Sequence, residues 1–192
     1  MMPIALPPKA VHALRHPAPD AADFRPTRFT PASTKAWFAA HMLRFLSCDF
    51  PKHQFTQRFY NQLMHCFGMC AHYSREGFWT EYFASTRNKV EFLTEVAAYP
   101  CYGSPEQTFC DVERDVIARL RRSGLVETYR QHLAGEHHAA ERAEFARLSA
   151  KFGGPGPSDA LPARTVFVPV PPAAPMRSRC FGNAAQLALG LP

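Results

Sequence analysis

The sequence has few cysteines and no long apolar run, and each shortage excludes a class of protein. Six cysteines in 192 residues are too few for a disulfide scaffold. No window approaches the roughly 18 consecutive apolar residues of a membrane-spanning helix, and the first residues lack the apolar core of a secretory signal. We therefore expect a cytoplasmic protein with no membrane partner.

Basic residues are not concentrated in one segment, although the chain carries a formal net charge of +6. A protein that binds a phosphate backbone usually clusters its lysines and arginines on one element.

The sequence also lacks a Gly-rich phosphate loop, a G-x-S-x-G elbow and an H-E-x-x-H zinc pair. We therefore expect no enzymatic reaction and no bound cofactor.

Proline is scarce in the middle of the chain and frequent at both ends. Seven of the 18 prolines fall in residues 1–31 and eight in residues 153–192, which leaves three for the 121 residues between. Because proline removes a backbone donor and disfavours helix for the preceding residue, this distribution predicts three segments. We expect a Pro-rich N-terminal tail over 1–31, a helical domain over 32–152 and a Pro/Gly/Ala-rich C-terminal tail over 153–192, with both tails extended or disordered.

The middle segment repeats apolar residues every three or four positions, which is the period of a helix with one buried stripe. The pattern predicts an all-α fold, a single compact bundle of about five or six helices with an aromatic core. The first two predicted helices span about 33–48 and 51–72, and the last two span about 125–134 and 136–152. Between them, Ser104, Pro105 and Gln107 form the pattern of a capping box at the start of a helix.

The second predicted helix carries an apolar stripe and a separate polar strip. His65 and His72 are seven residues apart, so they project within about 20° of each other. The sequence therefore predicts a surface that binds an anionic or hydrogen-bonding partner, or a proton-transfer pair. Simple hydrogen bonding to a neighbouring helix is the alternative. The candidate binding residues on this strip and just after it are Arg58, Asn61, His65, His72, Arg75 and Glu76.

An alternative interpretation is a DNA-binding regulator. The segment Asp111 to Val126 resembles the end of a recognition helix in winged helix-turn-helix regulators, which implies that Arg119, Arg121 and Arg122 contact phosphates. Two features oppose this interpretation. Helical spacing continues after the segment where a winged fold needs a hairpin, and arginines in a last turn suit the helix dipole in any helix.

Four cysteines offer a second alternative, a zinc-stabilised or metal-dependent protein with Cys66, Cys70, Cys101 and Cys110 as tetrahedral ligands. Structural zinc sites usually pair their ligands two to four residues apart in both halves, and Cys101 and Cys110 are further apart than that. Cys66 and Cys70 also lie on the apolar stripe, where a free thiol behaves as a small hydrophobe. We therefore expect no bound metal.

The stretch GMCAHYSREGFWTEYF, Gly68 to Phe83, resembles a stretch of uncharacterised accessory proteins of bacterial phages and integrative elements. This resemblance implies a mobile-element context and brings no assigned chemistry. The sequence as a whole predicts a non-enzymatic interaction protein that binds a host or element-encoded macromolecule. A protein is the favoured partner, and nucleic acid is the alternative.

Overall fold

A computed structural model describes residues 4–69 and 74–152, and in these ranges the chain forms α-helices, two 3-10 turns and no β-strand. The all-α prediction is therefore confirmed, with seven described helices instead of five or six. None of these helices is long and apolar enough to cross a lipid bilayer. The helices are α1 (Pro8–Arg15), α2 (Ala32–Ser47), α3 (Gln57–Phe67), α4 (Arg75–Phe83), α5 (Thr86–Ala98), α6 (Cys110–Ser123) and α7 (Leu125–Phe152).

The chain divides into two compact units within α7. The first unit ends at Ala143 and contains α1 to α6 together with the first part of α7. The second unit begins at Glu144, and its described part is the remainder of α7. The predicted C-terminal tail over residues 153–192 lies outside the described residues.

Local signals fix where several helices begin and end. Thr56 caps α3, Ser74 caps α4 and Ser85 caps α5, and each side chain accepts a hydrogen bond from the backbone N–H three residues further on. Gly68 ends α3 with φ +55°, and Gly124 separates α6 from α7 with φ +64°. Positive φ favours glycine, which has no Cβ to clash with the backbone.

The core of the first unit is built largely from phenylalanine. The ring of Phe45 in α2 lies with its centroid 5.2 to 5.9 Å from the rings of Phe50, Phe55, Phe59 and Phe83. The Phe45–Phe55 pair is stacked and the other three pairs are edge-on. Stacked and edge-on pairs add stabilisation beyond the burial of apolar area. The predicted aromatic core is confirmed, and it brings α2, α3 and α4 together around one centre.

The N-terminal segment is folded, so the prediction of an extended or disordered tail is wrong for residues 4–31. Helix α1 packs against α2 and α6, and the side chains of Ile4, Leu14 and Phe24 are buried. Pro8 stands in the first turn of α1, where its missing N–H would have no partner within the helix. The other prolines between residues 9 and 31 lie outside helices. The many prolines of this segment therefore limit where its helices begin and end, and they do not make the segment disordered.

The second predicted helix is shorter than residues 51–72. Helix α3 begins at Gln57, and a 3-10 turn, Lys52–Gln54, precedes it. Before this turn, Asp49 and Phe50 have φ values of +59° and +55°, a conformation that is uncommon outside glycine. The Asp49 carboxylate accepts a hydrogen bond from the hydroxyl of Tyr129 at 2.6 Å, which holds this strained corner in place.

The capping box predicted at Ser104 does not start a helix, because α6 begins only at Cys110. The ammonium group of Lys35 in α2 donates hydrogen bonds to the carbonyl oxygens of Pro105 at 2.7 Å and Thr108 at 2.8 Å. These bonds hold residues 105–108 as a turn against α2. A tertiary contact here overrides the local helix signal.

The two last predicted helices form one helix, α7, which continues through Gly135. An isolated glycine costs about 1 kcal/mol relative to alanine inside a helix and does not by itself end it. Among the described residues, no atom beyond the helix's own backbone and the two neighbouring residues lies within 4 Å of the position where a Cβ of residue 135 would stand. The helix therefore passes this residue without a break.

Candidate interaction surface on helix α3

Helix α3 has one buried face and one exposed face. Arg58, Asn61 and His65 are exposed, and we call these three residues the α3 strip. His65 is turned away from the core, as expected, whereas His72 lies outside the described residues. The opposite face of the helix consists of side chains that are at most 2% exposed: Phe59, Leu63, Cys66 and Phe67.

The α3 strip is positioned by aromatic side chains of α2 and of the segment before α6. The guanidinium carbon of Arg58 lies 4.0 Å from the centre of the Trp37 ring, which is a close cation–π contact. The ring of His65 meets the buried ring of Phe109 edge-on, with centroids 5.4 Å apart. The packed core therefore supports the strip from below, while its polar groups face solvent.

Arg75 and Glu76 begin α4 and belong to a different patch. The Glu76 carboxylate lies 2.7 Å from a guanidinium nitrogen of Arg75 and 3.9 Å from the ammonium nitrogen of Lys52. The hydrogen bond from Arg75 lowers the pKa of Glu76. Together with Trp79 these residues line a shallow cavity of about 260 Å³, which we call the α4 cleft. In the described ranges no hydrogen bond or ion pair joins this cleft to the α3 strip, so the predicted surface divides into two patches.

The arginines of the DNA-binding alternative are not equivalent. Arg119 is 4% exposed, and its Nε donates hydrogen bonds to both carboxylate oxygens of Asp115 at 2.9 Å. A second nitrogen of the same guanidinium donates to the backbone carbonyl of Pro17. Arg121 and Arg122 are exposed. The predicted phosphate-binding set is therefore corrected, because Arg119 is a buried structural cation without access to a phosphate.

Three of the four candidate zinc ligands lie among the described residues, and Cys70 does not. Cys66 and Cys110 are buried, whereas Cys101 is half-buried. Burial raises the pKa of the Cys66 thiol and of the Cys101 thiol, which disfavours the thiolate that binds metal. Within residues 4–69 and 74–152 no group of three or more His, Cys, Asp or Glu side chains is arranged to hold a metal ion. The site that includes Cys70 stays a prediction.

Sequence reasoning missed Glu113, a buried carboxyl group in α6. Glu113 is 4% exposed, and its Oε2 has no hydrogen-bond partner in the described part of the chain. Burial raises the pKa of Glu113 to about 7, while a hydrogen bond with the Cys101 thiol acts in the opposite direction. This carboxyl group therefore titrates near neutral pH.

Two buried lysines were also missed. Lys35 is 0% exposed, and its ammonium nitrogen lies 2.9 Å from a carboxylate oxygen of Asp111. Lys89 is 5% exposed, and its ammonium nitrogen lies 2.7 Å from the Asp49 oxygen that also accepts the Tyr129 hydroxyl. Helical spacing places Lys35 on the buried stripe of α2, so the sequence pattern contained a signal for its burial. Charge alone argues against burial, because lysine is rarely buried unless it is paired.

No family model matches this chain, and no curated protein and no solved structure is significantly similar to it. The structure itself defines a class, an all-α protein with an aromatic core. Anything more specific has to be inferred from the two surface patches.

Proposed function

We propose that the protein is a non-enzymatic, cytoplasmic accessory protein of a phage or other mobile element, and that it binds another protein through the α3 strip. The observation that carries this proposal is the stacking of Arg58 on the Trp37 ring. Arginine and tryptophan are enriched among the few residues that dominate the binding energy of protein interfaces. A guanidinium already held against an indole ring also loses little side-chain entropy when a partner binds.

The cations of the interior and the cation of the α3 strip differ in their ion pairs, and this difference supports the same proposal. The buried cations Lys35, Lys89 and Arg119 each contact a carboxylate of this chain. Arg58 forms no ion pair with any carboxylate in the described ranges and is exposed. Its charge is therefore available to an acidic group of a partner, and the neighbouring amide of Asn61 and imidazole of His65 add hydrogen-bonding groups.

A triple variant with a matched control tests the strip. Arg58, Asn61 and His65 are replaced by alanine in one variant, and the exposed Arg130, Gln131 and His132 of α7 are replaced by alanine in the other. The control removes a guanidinium, an amide and an imidazole from the same protein. Each tagged protein is immobilised, exposed to an extract of the native host and washed, and the retained proteins are identified.

The proposal predicts at least one protein that the wild-type chain and the α7 control retain and the α3 variant loses. Identical retention by all three proteins would show that the α3 strip is not the binding surface. Retention that disappears after nuclease treatment would assign the surface to nucleic acid and overturn the protein partner. Circular dichroism checks that both variants keep the helical fold, which we expect because all six side chains are exposed.

A further inference from the structure

The end of α7 exposes large apolar side chains on one face. Phe145, Leu148 and Phe152 are 58%, 39% and 72% exposed, respectively. Their spacing of three and four residues places them next to one another along the helix. Residues 144–152 therefore present an apolar stripe two turns long, and no described side chain covers it.

The charged residues beside this stripe are arranged asymmetrically. Glu144, Arg147 and Lys151 are the charged residues of this part of the helix. At about 100° per residue Glu144 and Lys151 lie on the same flank of the stripe, and Arg147 lies further round the helix, toward the side opposite the stripe. Glu144 and Lys151 are one heptad apart, so they point in nearly the same direction from opposite ends of the stripe. The Glu144 carboxylate also pairs with Arg147 of its own helix, at 2.6 Å, so a basic group of a second copy would share this carboxylate with Arg147. Lys151, at the other end of the flank, forms no ion pair in the described ranges.

This arrangement is complementary to itself only in one orientation. When two helices pair in antiparallel orientation, the same flank of each helix meets, and the start of one helix lies beside the end of the other. Glu144 of each copy then stands beside Lys151 of the other copy. In a parallel pair the charged flank would face the opposite flank, which carries no charged residue between positions 144 and 152. Charge complementarity thus selects a second, antiparallel copy as the occupant.

We propose that two copies of this chain pair through the apolar stripe of residues 144–152 in antiparallel orientation, with Glu144 and Lys151 forming two symmetric ion pairs between the copies. Six apolar side chains bury much less than the roughly 1,200 Å² of a stable interface. The pair therefore forms reversibly and depends on protein concentration. This inference does not rest on the α3 strip, which lies on a different helix.

Sedimentation velocity of the whole 192-residue chain over a range of concentrations tests the pairing. The weight-average mass of the wild-type protein should rise above that of one chain as concentration increases. Phe145→Ala combined with Phe152→Ala should keep the protein monomeric at every concentration. Phe29→Ala serves as the matched control, because Phe29 is 86% exposed and lies in the N-terminal segment. It should self-associate like the wild type.

Charge reversal tests the orientation. Lys151→Glu should weaken self-association at least about tenfold, because like charges then face each other at both ends of the contact. Adding Glu144→Lys to the same chain should restore it, since opposite charges meet again. A wild-type chain that stays monomeric, for example because residues 153–192 cover the stripe, would overturn the proposal. So would self-association that survives loss of both phenylalanines, and failure of the double reversal would overturn the antiparallel arrangement.

Discussion

Residues 4–31 contain six prolines and one helix of eight residues, whereas residues 130–152 are helical throughout. In the first segment Ile4, Leu14 and Phe24 are buried. In the second segment no residue is buried, since the buried residues of α7 are Leu125 and Tyr129. Helical periodicity and burial are therefore separate properties of this chain. A segment becomes part of the core when contacts with residues distant in sequence fix it there. Arg119 makes such a contact with residues 4–31, through its hydrogen bond to the Pro17 carbonyl.

Replacing Arg119 should have the largest effect, because the guanidinium attaches the N-terminal segment to α6. Arg119→Ala leaves the Asp115 carboxylate and the Pro17 carbonyl without their charged partner, and breaking a buried ion pair costs about 3 to 5 kcal/mol. Urea unfolding should show this loss, and limited proteolysis should cleave within residues 4–31 first. Arg122→Ala, an exposed neighbour, should change the free energy of unfolding by less than about 0.5 kcal/mol. Equal stability of the two variants would contradict the role of Arg119.

Shortening a core side chain of α1 tests whether the packing of residues 4–31 contributes to the stability of the fold. Leu14 is 0% exposed, and Leu14→Ala should lower the free energy of unfolding by about 3 kcal/mol through lost burial and the remaining cavity. Thermal or urea unfolding measures the change. A loss below about 1 kcal/mol would mean that residues 4–31 are not part of the cooperatively folding unit.

The pH dependence of stability allows the buried carboxyl group of Glu113 to be compared with an exposed carboxyl group of α7. In the folded protein its carboxyl group keeps its proton up to about pH 7, whereas the ordinary pKa is 4.5. Between these values the folded state binds more protons than the unfolded state, so stability falls as pH rises. The contribution is complete below pH 4.5 and is lost as pH passes about 7, and it amounts to at most about 3 kcal/mol.

Urea unfolding between about pH 5 and about pH 8 measures this dependence in the wild-type protein and in Glu113→Gln. The variant should lose less stability over this range, because its amide cannot ionise. Glu144→Gln is the matched control in α7, where the hydrogen bond from Arg147 lowers the pKa of an exposed carboxyl group. At protein concentrations where the chain is monomeric, the control should keep the pH dependence of the wild type. If Glu113→Gln and the wild type have parallel stability curves, Glu113 does not titrate near neutral pH.

The smallest effect is expected in α7. Leu148→Ala removes the same atoms as Leu14→Ala from a side chain that is 39% exposed instead of 0%. At protein concentrations where the chain is monomeric, it should change the free energy of unfolding by less than about 0.5 kcal/mol. A loss comparable to that of Leu14→Ala would show that the end of α7 is packed against other parts of the chain.

Much of the helix pattern could be predicted because its signals are local. Helix α2 was expected over 33–48 and covers Ala32–Ser47, bounded by Pro31 and by the corner at Asp49. The buried side chains of α3 follow from their spacing of three and four residues. The exposure of Arg58, Asn61 and His65 follows from the same spacing, and these three are half of the six candidate binding residues. The grouping of Arg75 and Glu76 with Lys52 could not be predicted, because it depends on how α4 packs.

The sequence by itself determined that this chain is helical with an aromatic core, because helical spacing involves residues three or four positions apart. Only the tertiary structure decided which charged groups are buried. Lys35 meets Asp111 across 76 positions, and Arg119 meets Pro17 across 102. No local pattern encodes such contacts, because a charged side chain enters the interior only where packing brings a partner to it.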